Sequence, residues 1–339
     1  MQASRRIAID AMGGDSGAAV TVPAACDALA AWPDLELVLV GDERLLQARL
    51  DLAGPAVRSR LHLHHAPGQI SDQDKPETVL RKSQDSSMYQ AVELVRTGVV
   101  AAAVSAGNTG ALLMIGRHLL KTLPGIQKPA IVATIPGASR QCLLLDVGAN
   151  PDCSAQQLFE FAVMGSVLAE SLRGARARVG LLNIGAEQHK GTEEVKEAAM
   201  KLEQCSEIDY IGFVEANELY QGVADVVVCD GYVGNVTIKT SAGVANVVRG
   251  LMEAQIKRNW LTRLSALFAG AVLNPMLAQI NPHRFNGASL LGLQGSIVKS
   301  HGNATKEGFY YAIAQALLEV EHVVPQLIAA RVAAIMASN

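Results

Sequence analysis

Six short apolar runs, at Ile7–Asp10, Leu35–Gly41, Val99–Ser105, Cys142–Asn150, Val179–Gly185 and Val226–Gly231, each close on Asp, Ser, Asn or Gly and alternate with helical stretches. Continuous apolar strands separated by helices predict a mostly parallel sheet flanked by helices on both faces, with functional loops at the C-terminal strand ends. The expected fold class is therefore α/β. Periodicity predicts helices over Ala155–Leu172 and Thr192–Leu202, and a long apolar helical stretch over Ala304–Met336 broken near Pro325. With 339 residues, half of them hydrophobic, there is ample material for a core. No Ser/Gly-rich linker divides the chain, so residues 1–339 read as one unit.

A formal net charge of −3 and 4% aromatic residues offer neither a basic face nor a base-stacking platform, which argues against nucleic acid as a partner. The five cysteines are scattered without a C-x-x-C pair, and are expected to be reduced and to hold no metal. Arg5-Arg6 passes straight into Ile7-Ala8-Ile9 without the apolar region of a secretory signal, so a cytoplasmic location is expected. The longest apolar candidate, Leu264–Leu273, is about half the length that crosses a bilayer.

The loops that end these runs carry the residues capable of chemistry. Ser105-Ala106-Gly107-Asn108-Thr109-Gly110-Ala111 follows one strand and opens a helix, where unpaired N–H groups attract an anion; a tight turn with a Ser or Asn cap is the alternative. Asp10-Ala11-Met12-Gly13-Gly14-Asp15 is expected at the same sheet edge, with Gly13-Gly14 equally readable as a permissive bend and Asp15 as a helix cap. Further along stand Asp146-Val147-Gly148-Ala149-Asn150 and Asn183-Ile184-Gly185 with His189-Lys190-Gly191. Asp230-Gly231-Tyr232-Val233-Gly234-Asn235 precedes a helix expected from Val236, and Lys299-Ser300-His301-Gly302 closes the series. Lys190 and Lys299 could each neutralise a phosphate or lie on the surface, and Asn235 could donate its amide or cap the helix. His189 has no recognisable metal partner and reads as structural or exposed, and His301 reads as a satisfied polar residue rather than a catalyst. A dinucleotide fingerprint, a P-loop, a G-x-S-x-G elbow and an H-E-x-x-H pair are all missing from the sequence.

Together, DAMGGD at 10–15, SAGNTGA at 105–111, DVGAN at 146–150, NIG at 183–185 with KG at 190–191, CDGYVGN at 229–235, and LLGLQG with KSHG near 290–302 resemble the bacterial phosphate acyltransferase (PlsX) family. Arg81-Lys82 and Ser86-Ser87-Met88 fit the same pattern. The resemblance implies transfer of a long acyl group from acyl carrier protein to inorganic phosphate, giving acyl phosphate for phospholipid synthesis. It also implies a homodimer and a fold like that of isopropylmalate dehydrogenases and phosphotransacetylases, with no cofactor. The family's active-site lysine and asparagine carry over to Lys190 and Asn235. Asn108, Thr109, Gly110, Gly13, Gly14, Asn150, Gly234 and Lys299 are then candidates for binding phosphate or thioester. Asp10, Asp15 and Asp146, whose carboxylates repel phosphate, are supporting candidates for orienting lysines or capping helices, and His301 is a further supporting candidate.

Leu251–Ile280 reads as an amphipathic helical excursion from the core, with Lys257, Arg258 and Arg263 set among Trp260, Leu264, Leu267 and Phe268. Either a membrane interface, where a downstream membrane acyltransferase could take the product, or a dimer contact would cover its apolar face. A phosphotransacetylase acting on short acyl-CoA, a nicotinamide-dependent dehydrogenase on the related fold and a non-catalytic membrane scaffold are the rival readings.

Overall fold

The computed structural model describes residues 5–51, 54–71, 74, 76–137, 140–261, 265, 269 and 281–338. In chain order these form β1 (Arg6–Asp10), α1 (Ala18–Ala31), β2 (Glu36–Gly41), α2 (Glu43–Leu50), α3 (Pro55–Arg58), β3 (Leu61–His65), α4 (Pro76–Lys82), α5 (Ser87–Arg96), β4 (Ala102–Ser105) and α6 (Thr109–Leu120). There follow β5 (Ala130–Ile135), β6 (Cys142–Leu145), α7 (Ala155–Arg173), β7 (Arg178–Leu182), α8 (Glu193–Gln204), β8 (Asp209–Val214), β9 (Val226–Val228) and α9 (Gly231–Lys257). The chain closes with β10 (Ala288–Leu291), β11 (Ser296–Lys299), α10 (Lys306–Glu321) and α11 (Val324–Ser338).

The strands join one 11-stranded sheet in the order β3-β2-β1-β4-β11-β10-β5-β6-β9-β7-β8. Ladders within each half are parallel, as the apolar runs predict, but β11–β10, β10–β5 and β5–β6 are antiparallel. These three ladders reverse the sheet's sense. The C-terminal ends of β1 and β4 share an edge, as expected, whereas β6, β9 and β7 run the other way. One row of partnered residues nevertheless crosses the junction: Ile9, Val104, Val298, Ser289, Val132, Leu145 and Val228. Asp10, Ser105 and Lys299 lie one step beyond that row on one side, and Asp146 one step beyond it on the other.

Period-two alternation sends successive side chains to opposite faces and so divides the core. Ile7, Ile9, Val104 and Val298 pack with α1 and with Phe309 and Ile313 of α10. Leu145, Val179 and Val228 pack with Phe161 of α7 and Ile328 of α11. On the opposite face Met88 of α5 and Leu112 and Ile115 of α6 share one cluster with Ile131, Leu144, Val227 and Cys229, and Ile238 of α9 packs against it. The starts of α6 and α9 therefore overlie the same face.

Local signals set the helix ends. Ser154 and Gln157 form a reciprocal capping box on α7, which ends at Gly174 in the left-handed region, and Thr192 caps α8. Strands β3, β5, β8, β10 and β11 are absent from the sequence reading. Polar residues interrupt the apolar pattern in β3 and β8, and a register shift interrupts the β7–β8 ladder. The helix expected from Val236 in fact starts at Gly231. The excursion is also corrected in part, because α9 continues through Lys257 and absorbs residues 251–257. Trp260 is 71% exposed, while Leu264, Leu267 and Phe268 lie outside the described residues. No single helix among the described residues is long and apolar enough to cross a membrane, and all five cysteines are free thiols.

Glu319 of α10 is buried against the β10–β11 hairpin, in hydrogen-bond reach of Ser289, Gln315 and Ser296, and burial pushes its pKa from the usual 4.5 up to about 7. The native state then holds a proton that the unfolded chain releases above pH 4.5. The resulting stability is complete below pH 4.5 and is lost as pH rises through 7. Equilibrium urea unfolding across this window should show stability falling with pH by up to about 3 kcal/mol, and Glu319→Gln should flatten that slope.

Candidate active site

The first group of loops is built on Asp10. Its carboxylate is buried at the end of β1 and accepts the hydroxyls of Ser87 and Ser105, each at 2.6 Å. Burial raises the Asp10 pKa, and the two hydroxyls oppose the shift. Ser105 Oγ in turn accepts the Gly107 N–H at 3.0 Å, which shapes the turn into α6. Gly13 is required by close approach, since a Cβ there would stand 2.5 Å from Asp10 Oδ2 and 2.9 Å from Gly107 N. Gly14 adopts φ +83° against Gly302 O and Ala106.

Asn108 is the N-cap of α6 and accepts the Ala111 N–H at 2.9 Å, so the capping alternative is realised. Thr109 and Gly110 form the exposed first turn, where helix N–H groups point outward. Lys299 Nζ donates to Ala106 O at 3.4 Å and to Ser300 O, bracing the same turn. His301 lies at the exposed end of this strand-end loop, and its N–H donates to Asn286 Oδ1. Asp15 is exposed and caps no helix, because Gly17 is the N-cap of α1; its N–H donates to Gly302 O at 2.9 Å.

The second group is built on Asp146. Its carboxylate accepts Ile131 N at 3.0 Å, Gly148 N at 3.1 Å, Ala149 N at 3.0 Å, Asn150 N at 2.7 Å and Asn150 Nδ2 at 2.9 Å. Burial raises its pKa, and these donors oppose the shift. Asn150 Nδ2 also donates to Pro129 O at 2.8 Å, so the amide of this candidate ligand serves the loop. The start of α9 presses onto the loop. Gly231 N donates to Asn150 O, and a Cβ on Gly234 would stand 1.8 Å from Asp146 O. Gly234 is thus a packing residue.

Asp230, not Asn235, caps α9, accepting the Val233 N–H at 2.8 Å. Asn235 sits one turn inside and donates Nδ2 to Val147 O at 3.2 Å. Lys190 occupies the loop after β7, the strand beside β9. Its side chain is 37% exposed, and its ammonium lies 2.8 Å from Glu187 Oε2, whose carboxyl it holds below the usual range. Gly185 lies close beneath its side chain, and the Lys190 carbonyl accepts Asn183 Nδ2 at 3.2 Å. Ser87, Asn286 and Glu187 escaped the sequence reading as site residues; only the Ser86-Ser87 stretch carried a signal.

A family described as "Fatty acid synthesis protein" matches residues 5–327. The chain is 48% identical over 327 residues to a phosphate acyltransferase of Halorhodospira halophila, covering 96% of this chain and 95% of that protein. It is 50% identical over 325 residues to the phosphate acyltransferase of Pseudomonas syringae pv. syringae, covering 96% of each. In fold it is similar to the EutD phosphotransacetylase of Staphylococcus aureus, with a TM-score of 0.61 at 18% identity over 94% of this chain and 96% of that one. A branched-chain phosphotransacylase of Enterococcus faecalis gives 0.57 at 16% identity, covering 93% of this chain and 99% of that one.

Adding a methyl at Gly234 should disrupt the seat of α9. Gly234→Ala is expected to destabilise by about 1–3 kcal/mol or more, although alanine favours a helix. Gly243→Ala, whose Cβ would meet nothing within 4 Å on the same helix, should leave the thermal midpoint unchanged or raise it. Melting curves of the two variants check this contrast.

Proposed function

The chain belongs to the phosphate acyltransferase family, enzymes of fatty acid and phospholipid synthesis, and from that membership we propose that it moves a long-chain acyl group from acyl carrier protein to inorganic phosphate. The observation that supports the assignment of residues is that Lys190 and Asn235 follow adjacent parallel strands, β7 and β9, whose C-terminal ends lie at the same edge of the sheet. Asn235 is also held by a hydrogen bond to a loop that Asp146 makes rigid.

Phosphate is already an oxyanion near neutral pH, so the reaction needs positioning and charge neutralisation more than a base. Lys190 exchanges its exposed partner Glu187 for phosphate. A phosphate oxygen attacks the thioester carbonyl carbon, and the carbonyl oxygen takes the electron pair. An amide has two N–H donors, and the Val147 bond uses one of those on Asn235, leaving the other to hold the tetrahedral oxyanion. Collapse breaks the carbon–sulfur bond. The carrier leaves as its thiol with the proton from phosphate, and acyl phosphate remains. Thr109 and Gly110 N–H groups at the start of α6, with Lys299 beneath the turn, supply a second anion-binding element on the same face.

Association as a homodimer and peripheral contact with a membrane belong to the same proposal. Val244, Val247 and Leu251 on α9, and Trp260 and Leu261 beyond it, are exposed apolar residues that either contact would cover. The product is a lipid, and a membrane acyltransferase would receive it at that surface.

Lys190→Ala and Asn235→Ala are each expected to cut phosphate-dependent thiol release and acyl phosphate formation about 10²–10³-fold in folded protein, the usual cost of one oxyanion donor for Asn235. Normal turnover in both would overturn these roles, and equal rates on short acyl-CoA would redirect the assignment of the donor. Trp260→Ser with Leu261→Ser should weaken sedimentation with anionic vesicles while the oligomeric state by light scattering is kept; unchanged sedimentation removes the membrane contact.

A further inference from the structure

We propose that Gly148 and Asp146 are positioning residues for the reaction, fixing the direction of the Asn235 amide through the Val147 carbonyl. The proposal rests on the reading of Asn235 as oxyanion donor. Gly148 stands at φ +136°, a conformation that side-chain-bearing residues rarely adopt, and a Cβ there would lie 2.7 Å from Asn235 Nδ2. The bare α-carbon therefore leaves the space that the amide occupies. Nδ2 reaches past it to Val147 O at 3.2 Å.

That carbonyl has little freedom of its own. Its neighbour Asp146 binds the N–H groups of Gly148, Ala149 and Asn150 on one side and of Ile131 on the other. Val147 N donates to Ile131 O at 3.0 Å, so both backbone groups of Ile131 in β5 hold the Asp146–Val147 segment. The helix is pinned to the same loop by Gly231 N on Asn150 O. With both sides of the Asn235–Val147 bond fixed, the second N–H of the amide has one direction available. Neither Gly148 nor Asp146 touches substrate in this account.

The test is a double-mutant cycle on steady-state acyl phosphate formation from acyl carrier protein thioester and inorganic phosphate, using Gly148→Ala, Asn235→Ala and the pair. Gly148→Ala alone should lower kcat at least tenfold, with the KM for phosphate changed less than threefold, because Lys190 is untouched. In the Asn235→Ala background the same change should cost less than twofold. An equal cost in both backgrounds would overturn the proposal and leave Gly148 a general structural residue. Full activity of Asn235→Ala would instead overturn the assignment of Asn235 itself. Should Gly148→Ala fail to fold, judged by its melting curve, Asn150→Ala takes its place in the cycle. It loosens the same loop by deleting the bonds to Asp146 and Pro129, and the same non-additivity with Asn235→Ala is required.

Discussion

The second half of the sheet depends on the Asp146 carboxylate being buried and satisfied at once. A carboxylate taken out of water is strongly disfavoured unless donors replace its hydration. Here backbone N–H groups from one strand, through Ile131, and from the loop over 148–150 do so, together with one side-chain amide. The loop from 146 to 150 is consequently folded around its own first residue, and only then does it offer outward carbonyls on which a helix can settle. Gly231 and Gly234 let α9 come down close enough to use them. Of that 27-residue helix only these two glycines are buried, so its placement on the core relies on the first turns, with Ile238 packed beyond them, and on whatever covers its exposed length.

The first half solves the same problem with different chemistry. Asp10 ends β1 as Asp146 follows β6, also buried, but its principal partners are serine hydroxyls from α5 and β4. Hydroxyls rotate and backbone N–H groups do not. The Asp10 network ties together elements far apart in the chain, whereas the Asp146 network rigidifies one short loop. The antiparallel trio of ladders at the sheet's centre brings these two aspartates to opposite sides of one row of residues while α6 and α9 share a face. Two loop systems that leave the sheet in opposite senses thus flank a common surface.

The parallel halves of the sheet were legible because strands buried on both faces must be apolar in their interiors, and β1, β2, β4, β6, β7 and β9 are, with charged or polar residues only at their ends. The reversal between halves was not, since antiparallel pairing leaves no mark on a strand as short as Ala288–Leu291. The loops at 10–15, 105–111, 146–150, 183–191, 229–235 and 299–302 were also legible, because glycine and short polar residues after an apolar run mark strand ends. What individual residues do within them was less so. Asn150 and Gly234 have the residue types of ligand contacts, yet one is bonded to its own loop and the other gives way to a neighbouring carbonyl at 1.8 Å from its missing Cβ. Asn108 is a cap and Asn235 is not, a distinction that turns on where each helix begins. Asp230, five residues before Asn235, takes the capping role there.

The two residues assigned to chemistry are held in opposite ways. Asn235 is half-buried and bonded to a pinned carbonyl, so its geometry is set before any substrate arrives, the condition under which a dipole stabilises charge without reorganising. Lys190 is held by an exposed carboxylate three residues away. Exposed pairs of that kind contribute little, so under the proposed roles a dianionic phosphate would displace Glu187 at little cost and the ammonium could follow the ligand. On the proposed roles, rigidity lies where charge would develop in the transition state, and mobility where a fully charged substrate would enter and its product leave. With the roles reversed, a fixed lysine would retain its phosphate and a mobile amide would spend its hydrogen bond on water.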